Sequence, residues 1–340
     1  MANRNFSLWT YFMERGAEIR PSLAYQGGDV REWQPRLLTK VQELLGDFPP
    51  SVPLEAETIW KVEENGLIKE KIVFNSEPFA SIPALVIRGA ELSVDRKHPG
   101  LLCLHGHGPF GKDSVAGVRS TQAHRDIIQL YNYDYAVQFA RQGYITITPD
   151  FRNFGERSDG DLYPGRDSCN VHFIRGLLMG INLITLNIWD IMKTMDYFMG
   201  RPEVDENRIG AIGLSFGGTM VLHSAGLDSR IKAAGIVCAL TTYEEYAIKM
   251  GNFCGSQFIP GIYQYADLAD LAGLIAPRPL LIENGVFDDG FPIEASLKAQ
   301  EQLKRIYQAA GAENRLEIDL FEGAHQFSGR KAFSFFEKWL

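Results

Sequence analysis

The residues Gly213-Leu214-Ser215-Phe216-Gly217-Gly218 stand between a short apolar run, Arg208 to Ile212, and a helix-compatible stretch, Thr219 to Ala225. A strand that reverses straight into a helix holds its turn residue in a strained backbone conformation. Only small residues two positions before and two after leave room for it. The hydroxyl of Ser215 is then pushed out of the backbone, above a sheet, where a nucleophile would stand. A chain with 33 glycines can match this pattern by accident, so the remaining residues must supply both the sheet and the partners of the serine.

Alternation along the chain supplies the sheet. Strand-like runs occur at Gly100 to His105, Tyr144 to Pro149, Arg208 to Leu214, Ala233 to Leu240, Pro279 to Glu283 and Arg315 to Phe321. Helical stretches separate them, at Asn132 to Gln142, Ile181 to Met199, Gly217 to Gly226 and Ile293 to Ala310, and Lys331 to Trp339 closes the series. Such βαβ alternation predicts an α/β fold with a mostly parallel, doubly wound sheet covered on both faces. Two β-rich runs before it, Leu67 to Phe74 and Phe79 to Arg88, flank Asn75-Ser76-Glu77-Pro78 and predict an antiparallel hairpin.

The first 60 residues read differently. Leu37, Leu38, Val41, Leu44 and Leu45 recur at helical spacing, and Asp47-Phe48-Pro49-Pro50 breaks the pattern. Residues 1–60 are therefore expected to form a helical N-terminal extension and residues 61–340 the α/β domain. Two stretches, about 158–180 and 241–269, do not fit the alternation. Insertions after the strands of a parallel sheet lie over its carboxyl edge, so both are expected to wall or cover a pocket as lid segments.

Bulk composition excludes several classes. With 45% hydrophobic and 22% charged residues, and no run near the roughly 20 apolar residues of a membrane span, the chain reads as soluble, with no membrane partner. Its opening residues lack the apolar core of a signal peptide, which makes the cytoplasm the default location. A formal net charge of −8 without basic blocks disfavours nucleic acid. Cys103, Cys169, Cys238 and Cys254 are scattered and read as reduced thiols rather than a disulfide framework or a zinc knuckle.

Ser215 needs a base to take its proton and an acid to orient that base. In this sheet topology the order is serine, acid, histidine. His325 follows the strand ending at Phe321, and Asp288 follows the strand ending at Glu283. His223 is the other histidine beyond the serine, and it lies within the helix that the turn opens. Asp289 is adjacent to Asp288 and Glu283 is near, so the acid is expected at Asp288 with its neighbours as alternatives. Two backbone N–H groups would face the developing oxyanion: that of Phe216, at the start of a helix, and that of His107, after the strand ending Leu104-His105-Gly106.

Other readings of these residues are weaker. Gly106-His107-Gly108-Pro109-Phe110-Gly111 matches G-x-G-x-x-G after a strand, but Pro109 and the polar run behind it do not open an amphipathic helix, so no dinucleotide cofactor is expected. His105 and His107 have no third ligand at metal-binding spacing, so no metal is expected. Arg152 and Arg157 read as structural rather than as an anion site. Trp189, Tyr197 and Phe198 read as core, and Asp190 has no assigned role.

Taken together, His105-Gly106-His107-Gly108, Pro149 to Gly155, Gly213 to Gly218, Gly285 to Asp288 with Pro292, and Gly323-Ala324-His325 resemble the α/β-hydrolase superfamily. The likeness to the superfamily spans about residue 72 to the end, and the motifs resemble its branch of acetyl xylan esterases, cephalosporin-C deacetylases and dienelactone-hydrolase-like proteins. The resemblance implies a serine esterase acting on small acyl esters, without a cofactor. Dienelactone hydrolases proper carry cysteine where this chain has Ser215. The helical extension resembles that of some C–C bond hydrolases of the superfamily, which keeps hydrolysis of a β-diketone-like substrate as an alternative. A catalytically silent binding protein is a further alternative, against which the intact Ser215, Asp288 and His325 speak. A homo-oligomer is also left open, since lids in this superfamily are often completed by a neighbouring subunit.

Overall fold

In the computed structural model, residues 4–252 and 254–340 are described. Residues 1–3 of the N-terminal extension and residue 253 of the second insertion lie outside the described residues. One sheet contains β1 (Glu57–Glu64), β2 (Leu67–Glu77), β3 (Ala80–Gly89), β4 (His98–Leu104), β5 (Ile145–Pro149), β6 (Val204–Leu214), β7 (Ala233–Val237), β8 (Leu280–Gly285) and β9 (Leu316–Phe321). Their spatial order is β1-β2-β3-β5-β4-β6-β7-β8-β9. The first three strands pair antiparallel, as does β3 with β5; every later pair is parallel. This is the mostly parallel, doubly wound α/β sheet with a leading hairpin that the alternation implies.

The central strands are buried on both faces, which is why Leu101-Leu102-Cys103-Leu104 is a continuous apolar run rather than an alternating one. The helices are α1 (Leu8–Glu18), α2 (Val30–Leu45), α3 (Lys112–Val115), α4 (Gln122–Tyr131), α5 (Tyr135–Ala140), α6 (Ser168–Leu178), α7 (Leu183–Met199), α8 (Phe216–Leu227), α9 (Leu268–Gly273), α10 (Ile293–Ala309) and α11 (Ala332–Trp339). One apolar cluster joins the sheet to α2, α7, α8, α9 and α10, and a second joins its other face to α3, α4, α5 and α11.

Three boundaries differ from the sequence reading. The strand β1 starts at Glu57, inside the expected helical extension, so the division at residue 60 falls within a strand. All of β1 is exposed; with no buried face it carries no alternating apolar signal, and its glutamates and Lys61 charge the sheet edge. The helix expected at Asn132 to Gln142 is the shorter α5, and a helix not expected from sequence, α4, precedes it; Asn132 takes a left-handed conformation (φ 48°) that closes α4 with its N–H on the Ile128 carbonyl. The first insertion, expected only as a lid, contains the helix α6.

The extension belongs to the core. Val30, Trp33, Leu37, Val41 and Leu45 form one buried stripe along α2. Its end is tied down by Asn182, whose side-chain amide donates to the carbonyls of Leu44 and Leu45 at 2.9 and 3.1 Å, and by the Thr185 hydroxyl on Leu45 at 2.7 Å. By contrast α1 packs on the second insertion, where Gly16 lies so close to Ile248 that an added Cβ would come within 2.8 Å of its Cγ2.

Candidate active site

Ser215 sits between β6 and α8 with φ 61° and ψ −124°, a region that residues other than glycine rarely adopt. Its N–H donates to the Val237 carbonyl at 2.9 Å, and its own carbonyl accepts from Thr219 N–H at 3.0 Å. The glycines around it are contact requirements. A Cβ on Gly213 would fall 2.3 Å from the Gly217 carbonyl carbon, and one on Gly217 would fall 1.9 Å from the Leu104 carbonyl oxygen. Only a chain without side chains at both points lets β4, β6 and α8 converge beneath the serine.

His325, in the loop after β9, donates from Nδ1 to Asp288 Oδ2 at 2.7 Å. The other carboxylate oxygen, Oδ1, accepts from the N–H groups of Gly290 and Phe291 at 2.9 and 3.0 Å. Asp288 is 4% exposed and therefore fixed by three donors. Its neighbour Asp289 is exposed, on the cavity rim, and Glu283 is buried in β8. Of the three acids weighed, the structure brings Asp288 against His325. That bond places the neutral imidazole's proton on Nδ1 and leaves Nε2 with its lone pair. Phe291 stacks on the ring at 5.5 Å and 8° between planes, which fixes its orientation.

The loop after β4 is pinned from two sides. Buried His105 donates from Nδ1 to the Gly106 carbonyl at 2.8 Å and accepts at Nε2 from Phe151 N–H at 3.0 Å. Burial pushes its pKa down to about 4, so it stays neutral in this strut role. Gly106 N–H donates to the Tyr133 hydroxyl at 2.6 Å. Among the described residues, the N–H groups of His107 and Phe216 have no protein acceptor. Phe216 opens α8, so its N–H has no carbonyl one turn back to bond. The His107 ring packs against both Phe154 and Phe216, at 5.2 and 5.0 Å.

Ser215, His325 and His107 line one cavity of about 480 Å³. Both insertions contribute to its wall: Asp167 from the first, and Tyr246, Asn252, Cys254 and Gln257 from the second. Since α1 supports the second insertion, the N-terminal extension reaches the cavity wall indirectly.

In the loop after β5, Arg152 and Arg157 are both taken up by carboxylates. Arg152 is bonded to Glu77 at 2.7 Å and to both oxygens of Asp190 at 2.9 Å, and Arg157 meets Asp190 at 2.7 Å. Burial opposes ionisation of Asp190, but the two guanidinium groups hold its carboxyl below the usual range. Asp190, unassigned from sequence, is thus the hub that fixes this loop to α7. Lys112, in the short helix after the Gly106 to Gly111 stretch, is likewise consumed by Asp150 at 2.8 Å and Glu156 at 2.5 Å.

The profile of the Abhydrolase family matches residues 13–330. The chain belongs to the Abhydrolase family. The matched region includes α2. Over 307 residues the chain is 26% identical to "Putative hydrolase YtaP" of Bacillus subtilis (strain 168), spanning 87% of this chain and 96% of that protein. Among solved structures, a "putative acetyl xylan esterase" from Bacteroides fragilis superposes with a TM-score of 0.76 at 20% identity, covering 94% of this chain and 83% of that one. A glucuronoyl esterase from Solibacter usitatus gives a TM-score of 0.69 at 14% identity, with 95% and 99% covered. At these identities the structural likeness establishes the α/β-hydrolase fold.

Two features of this Abhydrolase site escape sequence reading. Tyr133, which holds the Gly106 N–H, lies in a segment read only as the start of a helix. Cys169 and Cys254, read as isolated thiols, meet His107: the ligand atoms of these three residues all lie within 4.8 Å of one another. Spacing along the chain carries no sign of this, because the three come from three separate segments, the loop after β4, α6 and the second insertion.

Proposed function

We propose that this protein is a serine hydrolase of carboxylic esters with small acyl groups. The observation that carries the reading is the strained Ser215 facing the same cavity as an imidazole whose Nδ1 proton is held by buried Asp288. Ser215 Oγ attacks the ester carbonyl while His325 Nε2 takes its proton, and Asp288 stabilises the imidazolium that forms. The N–H groups of His107 and Phe216 receive the negative charge on the tetrahedral oxygen, with the α8 dipole behind them. His325 returns the proton to the leaving alcohol, and water resolves the acyl-enzyme by the same steps. The family membership and the esterase names of the structural relatives support this reading.

The test is product analysis with two substrates, an acetylated sugar and a β-diketone. Release of acetate from the sugar, abolished in Ser215→Ala with the fold intact by circular dichroism, is expected. Cleavage of the diketone with no acetate release would replace the ester reading with C–C bond hydrolysis.

A further inference from the structure

His107, Cys169 and Cys254 stand beside the proposed reaction centre, yet the mechanism above uses none of their side chains. His107 Nε2 lies 3.0 Å from Cys254 Sγ. Cys254 Sγ is also 2.8 Å from the Ser256 hydroxyl, and Cys169 Sγ accepts from the Asn153 side-chain amide at 3.1 Å. With all three ligand atoms within 4.8 Å of one another, one imidazole and two sulfurs converge on a single point.

We propose that His107 Nε2, Cys169 Sγ and Cys254 Sγ bind a thiophilic divalent cation, with zinc as the ion whose chemistry fits. Two sulfurs and one imidazole are the donor set that selects zinc over magnesium or calcium, which require oxygen ligands. Tetrahedral zinc takes sulfur at about 2.3 Å and nitrogen at about 2.0–2.1 Å, so the donors need only small side-chain movements to close on it. On binding, both thiols lose their protons to solvent as two Zn–S bonds form. Polar partners are already in place around the sulfurs, from Asn153 and Ser256, as outer-shell groups that orient metal ligands. An entry path exists as well: both cysteines are buried, but His107 is exposed and, with Cys254, lines the cavity. That side leaves the fourth position for water.

Such an ion would clamp the cavity wall rather than take part in ester cleavage. Cys169 lies in α6 of the first insertion, Cys254 in the second insertion, and His107 in the loop after β4. Occupancy therefore ties together three segments that are otherwise joined mainly by packing and by the Asn170 bond to Gly255 N–H at 2.9 Å.

The experiment titrates the fully reduced, full-length protein with Co²⁺ and then Zn²⁺. Expected are a cobalt–thiolate charge-transfer band saturating at one equivalent, its displacement by zinc, and a zinc-dependent rise in melting temperature. Cys169→Ser and Cys254→Ser should each weaken binding at least about a hundredfold, since each removes one thiolate from the set. Cys238→Ser should not, although Cys238 lies with Asp288 and His325 in the other close group of potential ligands among the described residues. X-ray absorption of the zinc-loaded wild type needs no variant and should show two sulfurs and one imidazole nitrogen. No charge-transfer band, binding that survives loss of both cysteines, or a zinc shell of oxygen and nitrogen alone would overturn the proposal.

Discussion

Replacing Asp288 with asparagine tests the acid through its geometry, because the loop dictates how the new amide must sit. Oδ1 accepts two backbone N–H groups, from Gly290 and Phe291. An amide nitrogen placed there would face two donors, so the carbonyl oxygen must occupy that point and the NH₂ must face His325 Nδ1. The imidazole then accepts at Nδ1 and carries its proton on Nε2, the nitrogen that in the proposed mechanism takes a proton from Ser215. Restoring the productive tautomer loses a charge-assisted hydrogen bond, about 1.5–3 kcal/mol, and leaves facing donors unsatisfied, about 1–3 kcal/mol. Together these raise the barrier by about 2.5–6 kcal/mol, or about 10²- to 10⁴-fold in kcat/KM. The fold should persist, since both backbone bonds to the side chain remain. The assay is kcat/KM for p-nitrophenyl acetate, with Asp289→Asn as the control. Activity of Asp288→Asn within tenfold of wild type, or an equal loss in Asp289→Asn, would refute the argument.

Two further outcomes follow from buried groups. Burial, with the Asp319 charge close by, pushes the Glu283 carboxyl from 4.5 up to about 7. Below pH 4.5 folded and unfolded chains both hold the proton; as pH rises to about 7 the unfolded chain releases it first, so stability falls, by about 3 kcal/mol at the plateau. Urea denaturation at pH 5 and pH 8 should therefore show a steeper decline for wild type than for Glu283→Gln, and identical slopes would contradict it. Gly217→Ala would drive a Cβ to 1.9 Å from a backbone carbonyl that cannot retreat, so a loss of about 3 kcal/mol or more is expected, read as a lowered urea midpoint; a near-neutral change would show that the turn tolerates a side chain.

Much of the site is legible in the sequence because a parallel sheet delivers its loops to one edge. Ser215, Asp288 and His325 each follow a strand, and strand ends are readable from apolar runs that stop at glycine. Asp288 is expected over Asp289 from sequence, but what separates them, the Gly290 and Phe291 N–H groups that hold the Asp288 carboxylate against His325, is visible in the structure alone. The edge strand β1 leaves no trace because nothing on it is buried. The helical periodicity of α2 is plain, yet where it docks depends on Asn182, Thr185 and a core assembled from distant segments. Asp190, Tyr133 and the thiol pair act across wide sequence separations, and composition or spacing has no means of joining them.

The central claim is that Ser215 is a nucleophile activated by His325. A fluorophosphonate probe followed by peptide mass spectrometry tests it most directly. One phosphonyl adduct on Ser215 is expected, lost in His325→Ala although the serine remains. No adduct on Ser215 in the folded wild type, or labelling equally strong without His325, would contradict the account.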